Sequence, residues 1–207
     1  MTVGQLLKQY PLISNQVTTA ELQVILRELI RTLQQGVTGD VVEFGCYIGT
    51  SSLFIRRVLD DLQESGAREF HVYDSFEGLP DKAAADRNAA GIDFKAGELL
   101  VSKKQFLREF QRARLQAPVV HKGWFDQLPA SAIPEKIAFA FLDGDFYDSI
   151  TASLGLVWPR IQDGGAVLIH DYKRETLPGV ERAIGDFFRH HRYQTLQGEQ
   201  NIAIIHV

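Results

Sequence analysis

Five short stretches of the chain place polar or acidic side chains directly after an apolar run. Val41-Val42-Glu43-Phe44 leads into Gly45-Cys46-Tyr47, with Gly49, Thr50 and Ser51 close behind. The run at 69–73 ends in Asp74-Ser75-Phe76, and the shorter run at 119–121 is followed by Gly123-Trp124-Phe125. IAFAFL at 137–142 ends in Asp143-Gly144-Asp145, and AVLI at 166–169 ends in His170-Asp171. A charge at the tip of a buried strand is costly unless it is paired or binds a cation. Carboxylate oxygens from Asp143 and Asp171 suit Mg²⁺ or Ca²⁺, and an imidazole from His170 shifts the preference toward Mn²⁺, Fe²⁺ or Zn²⁺. The ordinary alternative is a helix-capping aspartate beside a surface pair, and for His170 that alternative stays open.

The other tips read as a nucleoside site. Gly45-x-x-x-Gly49 lets backbone pass close to a ligand, and the helix that follows offers it free N–H groups. The glycines do not complete G-x-G-x-x-G, because no third glycine falls at 50–52. Asp74 can accept both hydrogens of a ribose diol, and it follows Gly49 at close to the ~20 residues expected of such an acid. That spacing fits NAD as well as S-adenosylmethionine. Glu43 tips the choice, since a carboxylate facing the crevice suits the cationic amine of a methionine moiety and would repel a pyrophosphate. Cys46, Tyr47, Ser51, Ser75, Phe76 and Phe125 belong to the same strand-end segments. Trp124 either stacks on an adenine or packs in the core. Cys46 reads as a packing residue rather than a nucleophile, His190-His191-Arg192 as a helix end, and Lys103-Lys104 as a solvated face.

The elements that must position these residues follow from periodicity. Thr18-Thr19-Ala20-Glu21 has the capping-box pattern. Leu22, Ile25, Leu26, Leu29, Ile30 and Leu33 then recur at helical spacing, and Gly36 closes the helix. Residues 1–17 read as an N-terminal arm. Strands are expected at 41–45, 69–74, 119–121, 137–142 and 166–169, with helices at 50–62, 98–114, 149–161 and from Pro178 to about 191. Residues 75–97 are polar and rich in Gly and Ala, a length typical of a functional lid. Two last strands, 193–196 and 202–207, joined by a turn at 198–200, should form an antiparallel hairpin. Strands alternating with helices imply a parallel α/β sheet with right-handed crossovers. Ligands of such sheets sit outside the carboxyl ends of the strands.

Composition narrows the function classes. The 207 residues are 45% hydrophobic and 23% charged, which fits one globular domain over 1–207. A net charge of −4 argues against nucleic acid and anionic membrane as partners. One cysteine excludes an internal disulfide and a cysteine-built metal site. No signal peptide or apolar membrane span is evident, so the expected setting is cytoplasmic. Apolar positions of the first long helix suggest a homodimer.

VVEFGCYIGTSS, YDSFEGLP, HKGWFDQLP, FLDGDFYDS, DGGAVLIHDY and PGVERAIGDFF occur here in the order and spacing of the macrocin O-methyltransferase family, which the chain resembles from about residue 12 to 190. The resemblance implies a Rossmann-like class I methyltransferase sheet of seven mostly parallel strands, with helices on both faces. It implies S-adenosylmethionine and a divalent metal, most readily Mg²⁺, as cofactors, and a small-molecule hydroxyl (sugar, polyol or phenol) as acceptor. It places Glu43, Gly45, Gly49, Asp74 and Ser75 along the cofactor, Gly123 and Trp124 by the adenine, Asp143 on the metal with support from 170–171, and Asp145 as general base. In one respect the chain departs from the family: two consecutive aspartates are usual where it has His170-Asp171. The rival readings are a NAD-linked oxidoreductase, which lacks its third glycine here, and a nucleoside-binding protein without methyl transfer. A metal-dependent glycosyltransferase is disfavoured by the turn at 43–49.

Overall fold

Each apolar run becomes a strand. In the computed structural model, which describes residues 1–88 and 94–207, these are β1 (Asp40–Phe44), β2 (Phe70–Asp74), β3 (Val119–Lys122), β4 (Ile137–Leu142), β5 (Ile161–Ile169), β6 (Thr195–Glu199) and β7 (Ile202–His206). They form one sheet in the order β3-β2-β1-β4-β5-β7-β6. β1 to β5 run parallel, and β7 pairs antiparallel with both β5 and β6. The chain reverses direction across the sheet between β1 and β4, the switch point where an α/β sheet opens a crevice.

The helices are α1 (Val3–Gln9), α2 (Thr19–Gln34), α3 (Thr50–Asp61), α4 (Lys103–Ala113), α5 (Tyr147–Val157) and α6 (Pro178–Phe188). Side chains alternate across each strand, so the sheet has two apolar faces. Val41, Val72, Phe139, Phe141 and Leu168 pack against Leu22, Ile25, Phe54, Val58 and Phe106 of α2, α3 and α4. Val42, Phe44, Ala140, Leu142 and Val167 pack against Ile150, Leu154, Val180 and Ile184 of α5 and α6. The α2 capping box forms as expected: Thr18 Oγ1 accepts from the Glu21 N–H, and the Glu21 carboxylate accepts from the Thr18 N–H.

Several boundaries differ from the sequence expectation, each for a local reason. The N-terminal arm contains α1, started by a second capping box between Thr2 and Gln5. α4 begins at Lys103 rather than 98 because Ser102 and Gln105 form a third box. α5 ends at Val157, where Trp158–Arg160 tighten into a 3₁₀ turn around Pro159, and β5 begins at once, five residues before the apolar stretch that announced it. α6 stops at Phe188. The hairpin turn is Gln200-Asn201, both left-handed (φ 48° and 57°), while Gly198 and Glu199 pair within β6. The apolar stripe of α2 is spent inside the chain: Leu22, Ile25, Leu26 and Leu29 are fully buried, which removes the reason for expecting a dimer from it. No helix among the described residues is long and apolar enough to cross a membrane.

Phe139 lies on central strand β4 with no exposed surface, whereas Val119 on edge strand β3 is 40% exposed. Phe139→Ala is expected to lower unfolding free energy by about 3–5 kcal/mol, and Val119→Ala to change it by no more than about 0.5 kcal/mol. Denaturant titration of the two variants checks the contrast.

Candidate active site

The strand tips are drawn together by hydrogen bonds that run one residue past the strands. Gly45 N–H donates to Tyr73 O (2.9 Å), Asp143 N–H to Phe44 O (2.7 Å), His170 N–H to Leu142 O (2.9 Å) and Gly123 N–H to Asp74 O (2.9 Å). Gly45 (φ 84°) makes the central approach possible, since a Cβ there would lie 1.9 Å from the Asp143 carbonyl oxygen. The sequence assigns this glycine to ligand approach, but its first use is the close passage of the protein's own backbone. Gly49 (φ 98°) is the N-cap of α3, where a Cβ would meet the Phe106 ring at 2.9 Å.

Above the tips lies a cavity of about 740 Å³, within the usual range for small-ligand sites. Gly45, Tyr47, Asp74, Ser75, Trp124 and Phe125 line one part, and Asp143, Asp145, His170 and Asp171 another. Leu79, Pro80, Asp81 and Phe94 from the expected lid line it too, as does Leu99 just beyond it; the portion of that lid at 89–93 lies outside the described residues.

The remaining sequence candidates sit behind the lining. Glu43 shares the face of Val41, so its carboxyl is fully buried beneath the first turn of α3, where the Ser51 and Ser52 hydroxyls donate to it. It does not face the crevice as expected, and burial pushes its pKa up to about 8. Ser51 is committed to that contact. Cys46 is buried, its Sγ 3.4 Å from Asp74 Oδ2, and burial with the Asp74 charge pushes the thiol well up, as suits a packing residue. Phe76 packs against Phe106 with ring centroids 5.9 Å apart. Gly123 and Gly49 shape the backbone without lining the cavity. Asp74 clamps the β1–α3 turn: Oδ2 accepts from the N–H groups of Cys46 (2.8 Å) and Tyr47 (3.2 Å), and Oδ1 from that of Phe76 (2.7 Å).

The acidic tips converge on an imidazole. His170 Nδ1 lies 2.9 Å from Asp143 Oδ1 and 3.4 Å from Asp171 Oδ2. On the other side of the ring, Nε2 lies 3.3 Å from Glu21 Oε1, close enough for ion pairing but short of hydrogen-bond geometry. Arg174 pairs with Asp171. Burial would lower the His170 pKa, but Asp143 and Asp171 outweigh it and hold the ring well above the usual histidine range. Burial would likewise raise Glu21, yet His170 and the Thr18 N–H hold it at about 2. Asp171 is lowered, its burial outweighed by His170 and Arg174. Asp145 (φ 59°) is pushed well up, first by burial and then by the charges of Asp143 and Asp171.

Asp143, His170 and Asp171 each offer a ligand atom within 4.8 Å of the others. Two carboxylates and an imidazole at that separation fit a divalent cation. Glu21 was visible in the sequence only as a helix cap. Gln16 and Arg174, which also line the cavity, carried no signal beyond being polar.

Comparison with known proteins places this geometry. The model of the macrocin O-methyltransferase (TylF) family matches residues 9–199. The chain belongs to that family. It is 38% identical over 146 residues to 8-demethyl-8-(2,3-dimethoxy-alpha-L-rhamnosyl)-tetracenomycin-C 4'-O-methyltransferase of Streptomyces olivaceus, covering 68% of this chain and 55% of that one. To mycinamicin III 3''-O-methyltransferase of Micromonospora griseorubida it is 30% identical over 169 residues, covering 77% and 64%. The chain thus spans between about half and two thirds of the length of these curated relatives. The solved O-methyltransferase NovP superposes with a TM-score of 0.79 at 24% identity, over 91% of this chain and 79% of that one. The sheet is accordingly the Rossmann-like class I methyltransferase fold, as expected.

Two outcomes follow from the tip geometry. Gly45→Ala should fold poorly or lose the cavity ligand, because backbone must move to relieve a 1.9 Å overlap; thermal unfolding and ligand titration read both effects. Glu43 is protonated in the folded protein up to about pH 8, against 4.5 for an ordinary glutamate carboxyl. Its contribution to stability is therefore complete below about pH 4.5 and is lost as pH rises through about 8. Glu43→Gln should flatten that part of the stability–pH curve measured by denaturant titration.

Proposed function

We propose that this family member transfers the methyl group of S-adenosylmethionine to a hydroxyl of a small sugar- or phenol-bearing secondary metabolite. The observation that carries the reading is that Asp143, Asp145, His170 and Asp171 line the same cavity as Asp74 and Trp124. Family membership and the O-methyltransferase names of its relatives support it. The sulfonium is already an activated donor, so the protein's task is to bind, orient and deprotonate.

Asp74, with Ser75 beside it, would hold the ribose edge, and Trp124 and Phe125 the adenine. Phe125 is braced for this by edge-to-face packing on Phe44 at 5.2 Å. Gly45 and Tyr47 would pass along the methionine end, with Glu43 fixing the α3 turn from below rather than touching the amine. Asp143, Asp171 and His170 would hold a divalent cation. When bound, that ion lowers the pKa of the acceptor hydroxyl and orients it. Asp145 takes the hydroxyl proton on its carboxylate. The acceptor oxygen then forms its bond to the methyl carbon as the carbon–sulfur bond breaks, leaving S-adenosylhomocysteine. Leu79, Pro80, Phe94 and Leu99 would cover the acceptor and exclude water.

Incubation with S-adenosylmethionine, a divalent salt and a panel of glycosides, polyols and catechols should yield S-adenosylhomocysteine. Binding of the donor without product from any acceptor class would favour a binding protein instead. Asp145→Asn should lower kcat by about 10²–10⁴ and leave S-adenosylhomocysteine affinity, measured by calorimetry, unchanged. Unaltered turnover removes the base assignment.

A further inference from the structure

His170 is 3% exposed and Glu21 4% exposed, and the two buried ionisable groups face each other across the α2–sheet interface. Alternation along β4 and β5 puts Asp143 and His170 on the same face as Phe141 and Leu168, the face covered by α2. The Phe141 ring meets the imidazole edge-on, with centroids 6.1 Å apart. Nδ1 lies 2.9 Å from Asp143 Oδ1 and 3.4 Å from Asp171 Oδ2, and the buried Nε2, which has no hydrogen-bond partner, has Glu21 Oε1 at 3.3 Å as its ion-pair neighbour. Glu21 cannot swing away, because Oε2 accepts from the Thr18 N–H (2.7 Å) and hydroxyl (2.8 Å) and leaves Oε1 to the ring. A carboxylate behind one ring nitrogen is the arrangement that fixes a ligating histidine's tautomer and strengthens the other nitrogen as a ligand.

We propose that Glu21 is a positioning residue that keeps the His170 proton on Nε2, so that Nδ1 joins Asp143 and Asp171 in a nitrogen-and-oxygen site selective for a transition-metal ion such as Mn²⁺ over Mg²⁺. The inference rests on the methyltransferase reading for its setting, but it concerns ion choice and its structural cause. Mg²⁺ prefers oxygen ligands and retains its waters, whereas imidazole suits the later divalent ions. The N-terminal segment is thereby tied to the chemistry: the residue that caps α2 also orients a ligand on β5.

The test uses the full chain stripped of metal. Calorimetric titration should show tighter binding of Mn²⁺ than of Mg²⁺, and pulsed EPR of the Mn²⁺-loaded protein should show coupling to a ¹⁴N nucleus. His170→Asp should abolish that coupling and move preference toward Mg²⁺. Glu21→Gln keeps the capping box, since glutamine also serves at that position, yet should weaken Mn²⁺ binding about 10–100-fold. Absence of ¹⁴N coupling in the unaltered protein, or Mg²⁺ bound as tightly as Mn²⁺, overturns the ligand set whatever the variants do. Unchanged Mn²⁺ affinity in Glu21→Gln overturns the role of Glu21. S-adenosylhomocysteine titrated into the same samples separates the two readings: if it binds while Mn²⁺ shows no preference, this inference alone fails, and if it does not bind, the proposed function fails.

Discussion

The structure depends on the close passage of β1 and β4 at their carboxyl ends. Asp143 donates its N–H to the Phe44 carbonyl, and its own carbonyl occupies the space where any side chain at residue 45 would begin. That contact brings the first glycine turn and the acidic tip into one wall. Extending the same ladder through His170 and Gly123 gathers groups from across the parallel sheet around a single cavity. Carboxylates brought this close repel one another and lose hydration. The imidazole of His170, with Asp143, Asp171 and Glu21 around it, and Arg174 on Asp171 supply the compensating positive charge.

Alternation along the strands then decides which tip residues can touch a ligand. Glu43 follows Val41 onto the helix face and becomes a buried support for α3 through Ser51 and Ser52. Asp74 does two things at once: its carboxylate ties down the turn at 46–47 while its position still borders the cavity. The lining is therefore backed by a layer of fixed polar contacts, which holds the cavity walls in place.

Much of this was legible in the sequence. Short apolar runs ending in glycine or aspartate gave the strands, their order with the helices gave a parallel sheet, and motif spacing gave the family. The Thr18 and Glu21 pair gave the start of α2 because a capping box is a local signal. What escaped was whatever depends on contacts between distant segments. Glu21 facing His170 is set by how α2 lies on the sheet, which no spacing encodes. Glu43 faces α3 rather than the crevice because a place near the end of β1 does not set orientation; the pleat does. α1 was missed because seven residues carry too little periodicity and its start rests on capping, and the early start of β5 because residues 162–165 are polar or glycine and only Ile161 pairs with β4 ahead of the apolar stretch.

The central claim is that carboxylates and an imidazole from separate strand tips hold a cation next to a bound sulfonium nucleoside. Crystals grown with S-adenosylhomocysteine and Mn²⁺, measured at an X-ray energy where manganese scatters anomalously, address it directly. The account predicts the nucleoside between Asp74 and Trp124 and one anomalous peak within bonding distance of Asp143, His170 and Asp171. Nucleoside bound with no peak there, or with those three side chains turned apart, would contradict it.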